Sequence, residues 1–300
     1  MRVLHVTDTH LGIHRWFVGA PRDWRRSDDF FAALSAALAP AFAGEVDLVV
    51  HTGDLFDRSQ PPARAIEDAR TILMALGQVV PVVIMPGNHD WRGLIASVGT
   101  GIPGVQVVDA AARVQAAGLW LGVVPWVASA TDWASAAARA CAGGVDFLLA
   151  HQAFDGSRVN RFTFRTGRHA DTIGAEHIPP GVRRVLCGHI HPRQALRCGE
   201  AEVVFPGSSE RTSFSESEET KGTVMWELES AATWRYMPVP TRPMKLMNQP
   251  SELSAIQADT LVRLTGAARN RDVEQEVLRR GAWVEPWKEP DRQLALFPSR

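Results

Sequence analysis

Cysteine is scarce in this 300-residue chain, which has only Cys141, Cys187 and Cys198. An odd number with no C-x-x-C pair excludes a disulfide-stapled scaffold and gives no basis for a thiolate zinc knot. A reduced, cytoplasmic setting is expected. Long apolar runs are missing too, and none approaches the roughly 18 residues that span a bilayer, so no membrane partner is expected. The first strand begins at once with Arg2-Val3-Leu4-His5-Val6, which leaves no room for a targeting leader in this sequence. Neither sign of charge dominates: 32 basic residues face 33 acidic ones, for a net charge of −1. Without a global basic field, any hold on nucleic acid has to be local. Lysine is nearly absent, since only Lys221, Lys245 and Lys288 stand among the basic residues. The remainder are arginines, the better bidentate ligands for phosphate.

What is present is the composition of a folded protein, 45% hydrophobic and 22% charged, at a length that builds a substantial core. Short β-branched runs at Val46 to His51, Val79 to Met85, Leu119 to Val124 and Val145 to Ala150 read as buried strands. Helical patterns precede the first and second of these runs, Asp28 to Phe42 with Ser27 as N-cap and Pro61 to Leu76 after a proline entry. This β-α-β rhythm changes near Val182 to strands alone: Val182 to Cys187, Glu202 to Phe205, Gly222 to Glu227 and Thr233 to Val239. An α/β class with a second sheet packed on the first is predicted. Residues 1–240 read as one catalytic domain. Residues 241–300 read as a short C-terminal extension or truncated cap, with a helix at Arg269 to Arg280 and a loose tail from Pro286.

Five polar clusters follow predicted strands, where α/β folds gather their ligand sites. They are Asp8-Thr9-His10, Gly53 to Asp57, Gly87-Asn88-His89-Asp90, His151 and Gly188-His189-Ile190-His191. Asp8/His10 and His189/His191 are i, i+2 pairs, so each pair faces one way on an extended strand end. Singly, such motifs are common; their order and placement carry the argument. Asp8, His10, Asp54, Asn88, His151, His189 and His191 offer carboxylate, imidazole and amide donors, a set suited to Mn, Fe or Zn. Seven groups are too many for one ion and suit two that share a bridging carboxylate. Two such ions, about 3.5–4 Å apart, serve phosphoester hydrolysis.

In these motifs the sequence resembles the calcineurin-like metallophosphoesterases, whose ordered signature is D-x-H, G-D-x-x-D, G-N-H-D/E, a lone H and G-H-x-H. The resemblance implies a four-layer αββα sandwich over about residues 1 to 240. It implies one metal on Asp8, His10, Asp54 and His191 and another on Asp54, Asn88, His151 and His189, with Asp54 as bridge and Mn as the first choice of ion. It makes His89 the group over the scissile phosphate, oriented and kept cationic by the carboxylate of Asp57, which otherwise reads as a turn-capping aspartate. Asp90 reads equally well as a helix cap.

The wording around these motifs, and the stretch Pro206 to Phe214 continuing to Lys221-Gly222, is similar to the SbcD-type nuclease branch of double-strand-break repair. That resemblance implies DNA as partner, and homodimerisation through helices is a feature of the family. Only about 60 residues follow Val239, so an SMC-like ATPase partner is not expected. The similarity shifts to stand-alone bacterial metallophosphoesterase nucleases, with endonuclease action on single-stranded DNA. Arg158, Arg161, Arg165 and Arg168, interleaved with Asn160, Phe162 and Phe164, suit phosphate and base contacts, or form a solvated hairpin. Arg22, Arg25, Trp24 and Trp91 make a second group of candidate DNA contacts, although core packing is the commoner state of tryptophan. A small-molecule phosphodiesterase, a duplex 3′-to-5′ exonuclease and a non-catalytic scaffold remain alternatives, the last opposed by a complete ligand set.

Overall fold

The computed structural model describes residues 1–229 and 232–286. In chain order its main elements are β1 (Arg2–Val6), α1 (Arg26–Phe42), β2 (Leu48–Thr52), α2 (Ala63–Gly77), β3 (Val82–Met85), α3 (Arg92–Gly99), β4 (Val105–Val107), β5 (Ala112–Ala116), β6 (Leu119–Val124), α4 (Ala130–Ala140) and β7 (Phe147–His151). They continue with β8 (Arg158–Val159), β9 (Phe162–Thr163), β10 (Arg184–Gly188), β11 (Gln194–Cys198), β12 (Ala201–Phe205), β13 (Gly222–Leu228), β14 (Ala232–Pro238), β15 (Met244–Met247), β16 (Leu261–Leu264), α5 (Arg271–Arg279) and β17 (Trp283–Val284). The chain divides into two compact units. The first holds Met1–Ile13, Ser27–Thr212 and Glu219–Thr241; the second holds His14–Arg26, Ser213–Glu218 and the described residues from Arg242 onward.

The first unit contains two six-stranded sheets, ordered β14-β13-β1-β2-β3-β4 and β11-β12-β10-β7-β6-β5. Their centres are parallel, β1 with β2 and β2 with β3 in one, β6 with β7 and β7 with β10 in the other. Alternate residues of each central strand feed different cores, as the pleat demands. Val3, Leu48, Val50 and Val83 meet Leu121, Val123, Leu149 and Leu186 between the sheets. Leu4, Val6, Val49 and Ile84 face the other way, onto Phe30 and Leu34 of α1 and Leu73 and Leu76 of α2. On the second sheet's outer face Leu148, Ala150 and Val185 pack against Trp133 and Ala137 of α4. Three cores separated by two sheets give the four layers of an αββα sandwich. Strands buried on both faces explain the unbroken apolar runs of the sequence.

Several boundaries shift for identifiable reasons. Val79 is 55% exposed and Val80 closes the turn after α2, so β3 starts only beyond Pro81. Ser27 is the second residue of α1 and not its cap. Helix α4 had no strong periodic signal, being mostly alanine, but Ser129 caps it by accepting from Asp132 N–H. β11 (QALRC) is another element the apolar pattern did not reveal, because it is an edge strand with half-exposed residues.

The second unit is built around a three-stranded parallel sheet, β15-β16-β17, backed by α5. Asn270 caps α5 by accepting from Val273 N–H. Segments 14–26 and 213–218, which a linear boundary at 240 assigns elsewhere, contribute Phe17, Trp24 and Phe214 to an apolar cluster with Met244, Leu261 and Trp283. The tail expected from Pro286 lies, beyond that residue, outside the described residues. Among the described residues no helix is long and apolar enough to cross a membrane.

Candidate metal centre

The parallel strands of the first unit bring their C-terminal ends together, and the polar clusters sit there. Asp8 and His10 follow β1, Asp54 follows β2, Asn88 and His89 follow β3, His151 ends β7, and His189 and His191 follow β10. The chain turns abruptly at these points: Asp8, His10, Asp54 and His189 have φ of 50°, 41°, 53° and 84°. Left-handed non-glycine residues cost on the order of 1–3 kcal/mol each, and they persist only where the surroundings hold them. Here Asp8 N–H donates to Gly53 O at 3.0 Å, His10 N–H to Asp54 O at 3.1 Å and Leu11 N–H to Leu55 O at 2.8 Å. His189 N–H is shared by both carboxylate oxygens of Asp8, at 3.0 and 3.1 Å.

The seven predicted donors converge in two overlapping groups. In the first, His10 Nε2 and His191 Nε2 are 3.0 Å apart, Asp8 Oδ1 is 4.0 Å from His191 Nε2, and Asp54 Oδ2 is 3.8 Å from His10 Nε2. In the second, His151 Nε2 lies 3.3 Å from Asp54 Oδ2 and 3.0 Å from Asn88 Oδ1, which also stands 2.9 Å from His189 Nδ1. Asp54 Oδ2 thus borders both groups. Ring orientation is fixed from behind: His151 Nδ1 meets Thr52 O at 2.7 Å and His191 Nδ1 meets Thr212 Oγ1 at 3.1 Å. Those contacts leave each Nε2 facing the centre, the arrangement an imidazole ligand requires.

Electrostatics state the same demand. Burial pushes Asp8 up from its ordinary range, and burial followed by the charge of His191 pushes His10 well down. Burial opposes ionisation of Asp54, but His151 and His10 outweigh it and hold that carboxyl well below the usual range. Burial likewise opposes charge on His151, yet Asp54 and Asp8 raise it to about 9. Burial and His151 lower His189 to about 3. The buried Asp54 carboxylate therefore draws positive charge into the centre. Divalent cations would meet that demand through mixed oxygen and nitrogen donors, so the residues present fit a dinuclear site.

Two aspartates act differently from expectation. His89 Nδ1 meets the main-chain carbonyl of Asp57 at 2.8 Å, so Asp57 orients it through its backbone, because its carboxylate turns to Arg58 at 3.4 Å and His10 Nδ1 at 3.9 Å. The His89 main-chain N–H donates to Asp54 Oδ1 at 2.8 Å, and its exposed ring stands edge-on to His10. Asp90 does not cap α3, whose N-cap position is Trp91 without a side-chain bond. Its buried carboxylate accepts from Leu55 N–H at 3.0 Å, Phe56 N–H at 2.9 Å and Gly87 N–H at 3.1 Å. Burial and the nearby Asp54 raise it to about 6, against those three donors. Spacing could have hinted at this role only through an aspartate that precedes a helix with no hydroxyl or amide cap of its own.

Of the candidate DNA contacts, Arg158, Arg161, Arg165 and Arg168 are exposed on and after the β8–β9 hairpin of the first unit, and Arg165 pairs with Asp155. Trp91 is 65% exposed at the start of α3. Trp24, Arg22 and Arg25 belong to the second unit, where Trp24 is half-buried against Phe17 and Trp283. There they line a concavity with His14, Arg15 and Trp16.

The pattern of the calcineurin-like phosphoesterase family matches residues 1–193. The chain is similar to the DNA double-strand break repair protein Mre11 of Halobacterium salinarum, 30% identical over 227 residues that cover 72% of this chain and 53% of that one. It is also similar to the protein of the same name from Methanosarcina acetivorans, 26% identical over 238 residues, 73% of this chain and 35% of that one. The chain thus spans about a third to a half of the length of these curated relatives. Among solved structures, one titled "GAP50 the anchor in the inner membrane complex of Plasmodium" superposes with a TM-score of 0.50 at 12% identity, covering 79% of this chain and 84% of that one, a likeness of fold alone. Because the matched residues run from the first strand through His191, they take in every one of the converging donors, and the chain belongs to the calcineurin-like phosphoesterases, hydrolases of phosphoester bonds that work with a dinuclear divalent-metal site.

Proposed function

We propose that this protein is a manganese-dependent DNA nuclease of double-strand-break repair type, acting as an endonuclease on single-stranded DNA. The convergence of Asp8, His10, Asp54, Asn88, His151, His189 and His191 on one centre carries the phosphodiesterase part of this reading. The similarity to proteins named for DNA break repair supports DNA as the substrate.

In this reading Asp8, His10, Asp54 and His191 hold one ion and Asp54, Asn88, His151 and His189 the other. Divalent cations held by these residues would supply Lewis-acid activation of a phosphoester and of water. His89 serves the leaving oxygen. With Nδ1–H donated to Asp57 O, its Nε2 is the ring position left to carry a proton outward, and the main-chain bond to Asp54 sets its distance from the centre. Residues 1–240 supply the whole of this machinery, and 241–300 is an extension to it.

The test is incubation of purified protein with end-labelled single-stranded and duplex DNA in Mn, Mg, Zn or EDTA, beside an Asp54→Ala control. Manganese-dependent internal cutting of the single strand, lost in the control, is expected. Hydrolysis of a generic phosphodiester without cutting of either DNA would move the substrate to small molecules.

A further inference from the structure

The β8–β9 hairpin carries an arrangement that the metal centre does not use. Its two-residue turn is Asn160-Arg161, with Asn160 left-handed at φ 53°, a conformation asparagine tolerates. The ladder continues inward through Phe164 N–H to Ser157 O at 2.9 Å and Gly156 N–H to Phe164 O at 3.0 Å, so the hairpin is a built element. Its side chains, however, are unusual for an ornamental loop. Arg158 and Arg161 are exposed, Arg168 follows on the exposed return, and Phe162 presents 45% of its surface while standing edge-on to Phe164 and His169. An apolar ring held on an aromatic base and flanked by guanidinium groups is the combination that stacks a base and neutralises its phosphates.

The hairpin is also fastened to the metal-ligand loop. Gln194 Oε1 accepts from Arg158 N–H at 2.8 Å, and Gln194 Nε2 donates to Arg158 O at 2.9 Å and to Pro192 O at 3.1 Å. One amide side chain thus ties the hairpin backbone to the residue next to His191.

We propose that the Arg158–Thr163 hairpin, pinned by Gln194, is the arm that grips a single DNA strand at this centre, with Phe162 as stacking platform and Arg158, Arg161 and Arg168 as phosphate ligands. This rests on the nuclease reading above. An unpaired strand is the fitting occupant, because Phe162 meets a base face only where no complementary strand covers it.

The experiment measures initial rates of cutting of labelled oligothymidylate by the manganese-loaded full chain, across salt concentrations. Each variant's hydrolysis of bis(4-nitrophenyl) phosphate reports whether its metal centre is intact. Arg158→Gln/Arg161→Gln/Arg168→Gln is expected to raise KM for the oligonucleotide at least tenfold and to make its log–log salt slope shallower by about two, three contacts at roughly 0.7 each. Phe162→Ala, which removes no charge, is expected to raise KM about tenfold with the slope unchanged. A KM within twofold of the unmodified chain in both variants overturns the proposal. If the triple variant loses bis(4-nitrophenyl) phosphate hydrolysis as well, the Phe162→Ala result decides. If the unmodified chain hydrolyses the small ester and cuts no DNA, the nuclease reading itself falls, an outcome distinct from a nuclease indifferent to its hairpin.

Discussion

Asp90 Oδ1 accepts the main-chain N–H of Phe56 at 2.9 Å across 34 residues of sequence, while Oδ2 of the same carboxylate accepts Leu55 and Gly87. One side chain therefore binds the loop carrying Asp54 to the loop carrying Asn88 and His89. Removing it leaves three buried donors without an acceptor, each costing about 1–3 kcal/mol.

Asp90→Ala is accordingly expected to weaken metal binding 10- to 100-fold, the usual cost of losing an outer partner of a metal site. Asp90→Asn should fall nearly as far, because its NH2 would face N–H donors. Calorimetric titration with manganese checks both, and unchanged affinity in Asp90→Ala would remove the clamp from the account.

His89 is tethered but stands outside the two donor groups. His89→Ala is expected to keep both metal ions and to lose turnover by 10²-fold or more, on the order of a lost general acid. Metal content by elemental analysis, measured beside kcat, tests it; a variant that loses metal would make His89 a ligand.

Gly87 lies so close to Asp54 that a methyl group there would overlap Asp54 Oδ1 and the Asp54 main chain. Gly87→Ala should therefore displace the carboxylate that borders both donor groups, lowering metal stoichiometry below two per chain. Full stoichiometry would show that the loop can yield.

His5 is fully buried, with Nε2 2.9 Å from Thr52 Oγ1, and burial followed by the charge of His51 lowers it to about 3. The unfolded chain then binds the extra proton between about pH 6.5 and 3, so the stability this group contributes is complete above 6.5 and is lost as pH falls through that window. At pH 5 the loss is about 2 kcal/mol. Urea unfolding at several pH values should show a shallower acid decline in His5→Gln. An identical decline would mean that His5 gains its proton without unfolding.

Gln194 brackets the Arg158 main chain with two hydrogen bonds. Gln194→Ala should free the hairpin and make the bonds after Arg158 and Arg161 several-fold more sensitive to trypsin, read by mass spectrometry of early fragments. Unchanged cleavage would show that the ladder alone holds it.

The donors were legible because their chemistry is local. Their types and their place just beyond strand ends could be read directly, and glycines beside Asp54, Asn88 and His189 mark where the backbone must approach closely, but the pleat does not aim the i, i+2 pairs, because Asp8, His10 and His189 are left-handed. The roles of Asp57 and Asp90 were not legible. Asp57 acts on His89 through a main-chain carbonyl, which every residue possesses, and two of the three amides that Asp90 accepts from lie more than thirty residues away.

By itself the sequence determined the two-sheet core, through apolar runs long enough for strands buried on both faces, and the identity of seven donors at their ends. Tertiary structure alone decided which atom holds His89, the main-chain carbonyl of Asp57, and that Asp90 ties the Asp54 loop to the Asn88 loop. It likewise decided that segments 14–26 and 213–218 complete the second unit, with Trp24 and Phe214 beside Trp283 and Leu261. The division has a physical cause: periodicity and turn chemistry act between near neighbours and leave a trace in the sequence, whereas hydrogen bonds to main-chain groups and contacts between distant segments have no residue-type signature until the chain has folded.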